Sequence, residues 1–291
     1  MLNIPFDSLL SRSLYKIIVF LVLLLLTISS SLQAQWVGDY LGDERALYAE
    51  TKQVNQFFRR FNCEEAPDGE RYFPGQKGYR DPKLRLEYLD MLFDHDNEAI
   101  TRKLRSSFIL KVTDPNRSVF LDFHGDDWFA EVNITVEYQG KEEKMTLFMD
   151  LEEGDVGSKW VFNNVYFEPF HRLFSAQVNE ELVPPFIHPL SHELDFMEFS
   201  KVFKNKERLE VYASSEFQPD YLTLFLYESK QQKLRFKTVN KVKFHFFQVE
   251  GWYFELNEFN RPGTNKGWLI SQMMRLPPGQ KEILLKYIYH K

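Results

Sequence analysis

Apolar residues fall on alternate positions in three successive runs, residues 129–138, 144–151 and 160–167. A period of two marks half-buried strands, so this stretch predicts an antiparallel meander. Much of the pattern recurs 108 residues later: Trp160 lands on Trp268, Pro169 on Pro277, and Leu151 on Phe259. Ile134, Val136 and Tyr138 land on Val242, Phe244 and Phe246 with the same parity, and the loop before each Trp keeps its length. Identity across the overlay is low, so parity and loop length carry the argument. They predict an α+β protein of two tandem units, each with N-terminal helices packed on a curved antiparallel sheet.

Ahead of the first meander the period is helical. Leu47, Val54, Phe57, Phe58 and Phe61 form a stripe behind Asp43, predicting a helix over 43–61. A polar loop, 62–80, leads to Asp81-Pro82, an N-cap followed by proline at the first helical position. Leu84, Tyr88, Leu89 and Leu92 then share a face. Asp94-His95-Asp96-Asn97 breaks that helix and caps another over 98–106, with Ile100 and Leu104 inward. From Phe108 the period shortens to two, 118–123 reads as a strand, and Gly125-Asp126-Asp127 as a turn.

Pro169, Pro184, Pro185 and Pro189 oppose both helix and sheet. They divide the chain into a first α+β domain, 35–170, a Pro-rich linker, 171–190, with a short helix over 171–179, and a second α+β domain, 191–291. In the second, Ser191 caps a helical face of Leu194, Met197 and Val202, and a further element spans 207–213. Strands are expected at 221–227, 233–239, 242–249, 252–259 and 268–274, and a terminal helix at 281–289.

Residues 1–34 have the pattern of an export signal. Arg12 and Lys16 flank an unbroken apolar run, 17–26, and Leu32-Gln33-Ala34 supplies a cleavage site that makes Gln35 the new N-terminus. The run is shorter than the ~20 residues that span a bilayer, and an uncleaved anchor is the rival reading. The expected location is therefore the periplasm or the exterior. Net charge is −6, and loss of Arg12, Lys16 and Asp7 with the leader leaves −7. This balance disfavours nucleic acid as a partner; the basic strip 230–243 could still bind something anionic, with the solvated face of two strands the preferred interpretation. The lone Cys63 excludes an intrachain disulfide, and Glu64 and Glu65 beside it oppose thiolate formation.

Helices, then a long meander, then a Trp near the start of its last strand: this order resembles the nuclear transport factor 2-like, or cystatin-like, superfamily. The residues that carry the resemblance are Gly157, Trp160, Val161 and Phe162, and again Gly267, Trp268, Leu269 and Ile270. The resemblance implies a bent sheet wrapped around helices as a cone. It admits isomerases, dehydratases, carriers and periplasmic scaffold subunits, with an Asp, sometimes joined by His or Tyr, inside the cone of the enzymes. Fold alone does not choose among them.

Candidate chemistry is sparse. Asp122 and His124, two apart on a strand, could pair as an acid and a base, but with Asp126, Asp127 and Gly125 they also read as a solvated turn, the preferred interpretation. Asp94, His95 and Asp96 read as helix caps. His188 and His192, with Glu193, have a spacing that could hold zinc on a helix, yet Pro189 and Ser191 place the helix start between them. His245 alternates out of phase with Val242, Phe244 and Phe246 and reads as a surface residue. Phosphate loops, nucleophile elbows and metalloprotease His-Glu pairs do not occur in the sequence, and no cofactor is expected. The sequons at Asn116 and Asn133 matter only in a glycosylating host.

Aromatic residues make up 16 % of the chain. Phe120, Phe123, Trp128 and Phe129, with Phe244, Phe246, Phe247, Trp252 and Phe254, would line two cone-shaped cores, or in part a pocket for an apolar ligand or a docking patch. Phe247 and Trp252 are the binding candidates, Phe247 because its parity puts it opposite Phe244 and Phe246. The reading favoured is an exported, non-catalytic binding protein with a protein partner, ahead of a small apolar ligand. The alternatives are an isomerase or dehydratase using Asp122 or His124, and a membrane-anchored periplasmic subunit of a secretion apparatus.

Overall fold

The computed structural model describes residues 53–155, 157–174, 186–194, 196–204 and 209–291. The export-signal segment 1–34, the start of the helix expected over 43–61 and much of the 171–190 linker lie outside them. Among the described residues the protein is α+β, with seven α-helices and one six-stranded antiparallel sheet. The order is α1 (Val54–Phe61), α2 (Pro82–Met91), α3 (Arg102–Val112), β1 (Trp128–Tyr138), β2 (Lys141–Gly154), β3 (Gly157–Tyr166), α4 (Glu168–Phe174), α5 (Phe199–Lys204), α6 (Tyr221–Lys230), β4 (Leu234–Phe246), β5 (Trp252–Phe259), β6 (Gly267–Arg275) and α7 (Lys281–Ile288).

The sheet runs β3-β2-β1-β4-β5-β6, so two meanders meet at the antiparallel pair β1–β4. On β1, Trp128, Ala130, Val132, Ile134, Val136 and Tyr138 face one side, as their parity requires. Helices α1–α3, which precede the first meander, cover this face chiefly over the second: Phe57 packs on Phe246 and Phe254, and Phe108 on Trp252. Conversely α6, which precedes the second meander, packs Leu222 and Phe225 against a core of Ile134, Val136, Met145 and Val165 from the first. The main core therefore draws on both meanders. On the opposite face, α7 covers Phe129, Phe148, Phe247 and Tyr253.

Several elements depart from the periodicity reading. The helix expected over 98–106 is α3, capped by Thr101, whose hydroxyl accepts from Leu104 N at 3.2 Å. Asn97 is engaged elsewhere, its amide donating to Ser271 O at 2.6 Å. Phe108 is thus helical. Residues 118–123 join no strand: Asn62 pairs with both Leu121 N and Leu121 O at 2.8 Å, and Arg85 binds Val119 O. The run 221–227 is the helix α6, started by Asp220, whose carboxylate accepts from Leu222 N and Thr223 N. The strands expected at 233–239 and 242–249 are one strand, β4, in which register shifts against β1 absorb Lys237 and Asn240. Of the element expected over 207–213, the described residues include a 3₁₀ turn, Leu209–Tyr212, while 207 and 208 lie outside them.

Candidate functional site

The acidic turn is built locally. Asp122 Oδ1 accepts from His124 N at 3.0 Å, closing the turn, and Gln248 Nε2 donates to Asp122 O and Asp126 O. His124 is exposed, its Nδ1 3.1 Å from both Ser158 Oγ and Glu153 Oε1. Asp122 and His124 are therefore not brought to a shared reacting position. Asp126 and Asp127 border a cavity of about 200 Å³, with Asp150, Asn163, Lys281 and Tyr289. Lys281 Nζ lies 2.5 Å from Asp127, and burial pushes the Asp150 carboxyl up.

His188 immediately precedes a 3₁₀ turn, Pro189–Leu194, and His192 lies within it. His188 Nδ1 accepts from Leu190 N at 3.1 Å, and His192 Nδ1 lies 2.7 Å from Pro189 O. Among the described residues no group of three or more His, Cys, Asp or Glu is placed to hold a metal ion. Phe247 and Trp252 are both buried: Phe247 lies under α7 beside Tyr253, and Trp252 packs edge-on against Phe108.

His245 is the main correction. Its parity is as expected, but it is only 2 % exposed. Its Nε2 lies 2.9 Å from Glu131 Oε2 and its Nδ1 2.8 Å from the Tyr253 hydroxyl. An ionised carboxylate only accepts, so in the neutral ring Nε2 carries the proton and Nδ1 accepts from Tyr253. The contacts extend across the sheet. Thr146 donates to Asn133, Asn133 to Glu131, Lys243 stands 3.8 Å from Glu131 and 3.5 Å from Glu255, and Asn257 joins Glu255 to Ser271. Burial alone would raise the Glu131 carboxyl. Hydrogen bonds from His245 and Asn133, with the charges of His245 and Lys243, reverse this and hold it at about 2. Burial likewise pushes the Tyr253 phenol up. A carboxylate on an imidazole is an acid–base arrangement. Here both ring nitrogens are engaged within the protein, so the row ties five strands together. Its signal in sequence is Glu131, His245 and Glu255 at strand positions opposite in parity to the apolar set.

A second polar grouping lies on the helical side. The Glu65 carboxylate, 2 % exposed, accepts from Gln56 Nε2 at 2.5 Å and Arg59 Nε at 2.7 Å, and Arg60 Nε stands 3.3 Å from it as an ion pair. Arg60 is itself buried, and that burial lowers its pKa. Both line a cleft with Tyr88, Met91, Lys266 and Leu269. These residues are spread over some two hundred positions, and no spacing announces them.

No protein-family model matches the chain, and neither does a curated protein or a solved structure.

Proposed function

We propose that the chain is an exported, non-catalytic binding protein of the bacterial envelope, made of two units similar to the nuclear transport factor 2-like family. It engages a partner protein through the segment 186–203. The observation that carries this reading is apolar surface. Met197 and Phe203 are each 71 % exposed, and Phe186, Leu190, Phe196 and Phe199 are exposed beside them in sequence. Solvent-facing apolar side chains at this density mark docking sites. A shallow depression of about 310 Å³ lies among His188, Leu190, Ser191, Met197 and Glu198. The non-catalytic reading is supported by the engagement of Asp122 in its turn and by the enclosure of His245. The two-unit reading is supported by the pair of three-stranded meanders, which the 108-residue overlay brings strand onto strand. Export rests on residues 1–34.

The test is native mass spectrometry of the protein from its own envelope fraction, compared with the double variant Met197→Ser, Phe203→Ser. The expected result is a chain beginning at Gln35 in a stoichiometric complex, dissociated in the variant without loss of thermal stability. A chain free of protein in both samples, or a complex indifferent to the substitutions, refutes it.

A further inference from the structure

β4 is longer than its contact with the strand beside it. It runs over 13 residues, Leu234–Phe246, and pairs with β1 from end to end. β5 pairs with it only over Lys243–Phe246. Beyond Asn257, β5 turns away into its hairpin with β6, where Arg261 is tied to Asp94 and Asp96. Among the described residues no strand covers the outer edge of Leu234–Lys241, and no backbone hydrogen bond from another element reaches it. Arg235 through Lys241 are exposed at both parities. Such an edge presents a row of backbone donors and acceptors to any extended chain beside it.

The two faces of this edge differ. Register with β1 sets Phe236 opposite Val136 and Val239 opposite Ile134, on the side of α6, yet Phe236 is 65 % exposed and Val239 49 %. Arg235, Thr238 and Lys241 stand on the other side, opposite Glu137, Thr135 and Asn133. Residues 230–241 hold five cations and no carboxylate, in a chain of net charge −6. Lys233 pairs with Glu228, while Lys237 at 2.8 Å and Arg235 at 3.8 Å share the single Glu137. Glu142 of β2, across from Glu137, adds to the field at Lys237. Lys230 and Lys241 make no ion pair among the described residues. Positive charge is therefore left over on the edge after its internal pairing.

That charge selects the occupant. Lysines and bulges on an edge oppose pairing with a like edge, and the same row in a second copy would set cation against cation. An acidic chain meets attraction instead. The unpaired backbone favours a peptide over other anions, because only an extended chain repeats its donors and acceptors at the strand spacing.

We propose that the outer edge of Leu234–Lys241 takes up an acidic partner peptide as an added strand, its carboxylates beside Arg235 and Lys241 and its apolar side chains beside Phe236 and Val239. This edge shares no residue with the segment 186–203, and its test does not depend on that reading.

The experiment is fluorescence anisotropy of labelled eight-residue peptides titrated with the full chain. The probe alternates glutamate and valine, a length that covers Leu234–Lys241 at ~3.4 Å per residue. The expected result is saturable binding of this peptide, about tenfold weaker binding when glutamine replaces glutamate, and no binding when lysine does. N-methylation along the peptide backbone keeps the charge, removes the donors and abolishes binding. The double variant Arg235→Gln, Lys241→Gln weakens the acidic peptide about tenfold and Phe236→Ser severalfold, with the unfolding midpoint unchanged in both, since all three side chains are exposed. Equal binding of the acidic and glutamine peptides, binding retained after N-methylation, binding indifferent to the substitutions, uptake of phosphatidylglycerol vesicles in place of the peptide, or no saturation with any peptide would overturn the assignment.

Discussion

The Glu131 carboxylate offers a stability experiment whose size can be worked from its surroundings. Its pKa is held at about 2 against an ordinary value of 4.5. A depressed carboxylate stabilises the fold above its unfolded pKa, and that stabilisation disappears as pH falls through the folded pKa. The shift corresponds to about 3 kcal/mol at neutral pH, of which about 2 kcal/mol is gone by about pH 3. Glu131→Gln keeps the shape and removes the charge facing His245 and Lys243. The expected loss is therefore about 3 kcal/mol at pH 7, narrowing to about 1 kcal/mol near pH 3. Urea unfolding followed by tryptophan fluorescence at both pH values measures it. Comparing parent with variant cancels the other carboxylates, including Asp150, whose raised pKa acts with the opposite sign. A loss that is the same at both pH values would refute the reasoning, because it would place the cost in packing rather than in charge.

Other expectations follow from single contacts. Arg85 is buried and donates to Phe61 O and Val112 O at 3.0 Å and to Val119 O, so Arg85→Met strands three carbonyls and should cost on the order of 3 kcal/mol in urea unfolding. Asp81 accepts from Lys83 N and Leu84 N, and Asp81→Ala should cost about 1 kcal/mol by the same assay. Cys63 is fully buried, and burial pushes its thiol up to about 11, so a disulfide reagent at pH 8 should label it only after denaturation. Since α1–α3 pack over the second meander and α6 over the first, a fragment ending at residue 170 should lack cooperative unfolding in calorimetry.

Local chemistry was legible wherever it did not depend on distant partners. Asp81-Pro82 starts α2, the three runs at 129–167 match β1–β3 to within a few residues, and 252–259, 268–274 and 281–289 match β5, β6 and α7. The α6 segment shows where pattern alone is ambiguous. Its seven residues are an almost unbroken apolar and aromatic run that fits a buried strand as well as a helix, yet Asp220 ahead of them was a usable helix-start signal. At α3 the sequence offered several capping residues in succession, and the choice of Thr101 went with a contact between Asn97 and a strand 174 residues away.

The candidate sites depended more heavily on what the chain brings together. The sequence by itself determined the α+β class, the strand parity and the main caps, because each rests on neighbours within a few residues. Only the tertiary structure decided that both meanders share one sheet, that each is covered chiefly by the other's helices, and that His245 is enclosed. Parity says which side of a strand a residue faces, but not what covers that side. For His245 the answer came from Glu131, Tyr253 and α7, and for the cleft from pairing the end of α1 with a hairpin some two hundred residues later.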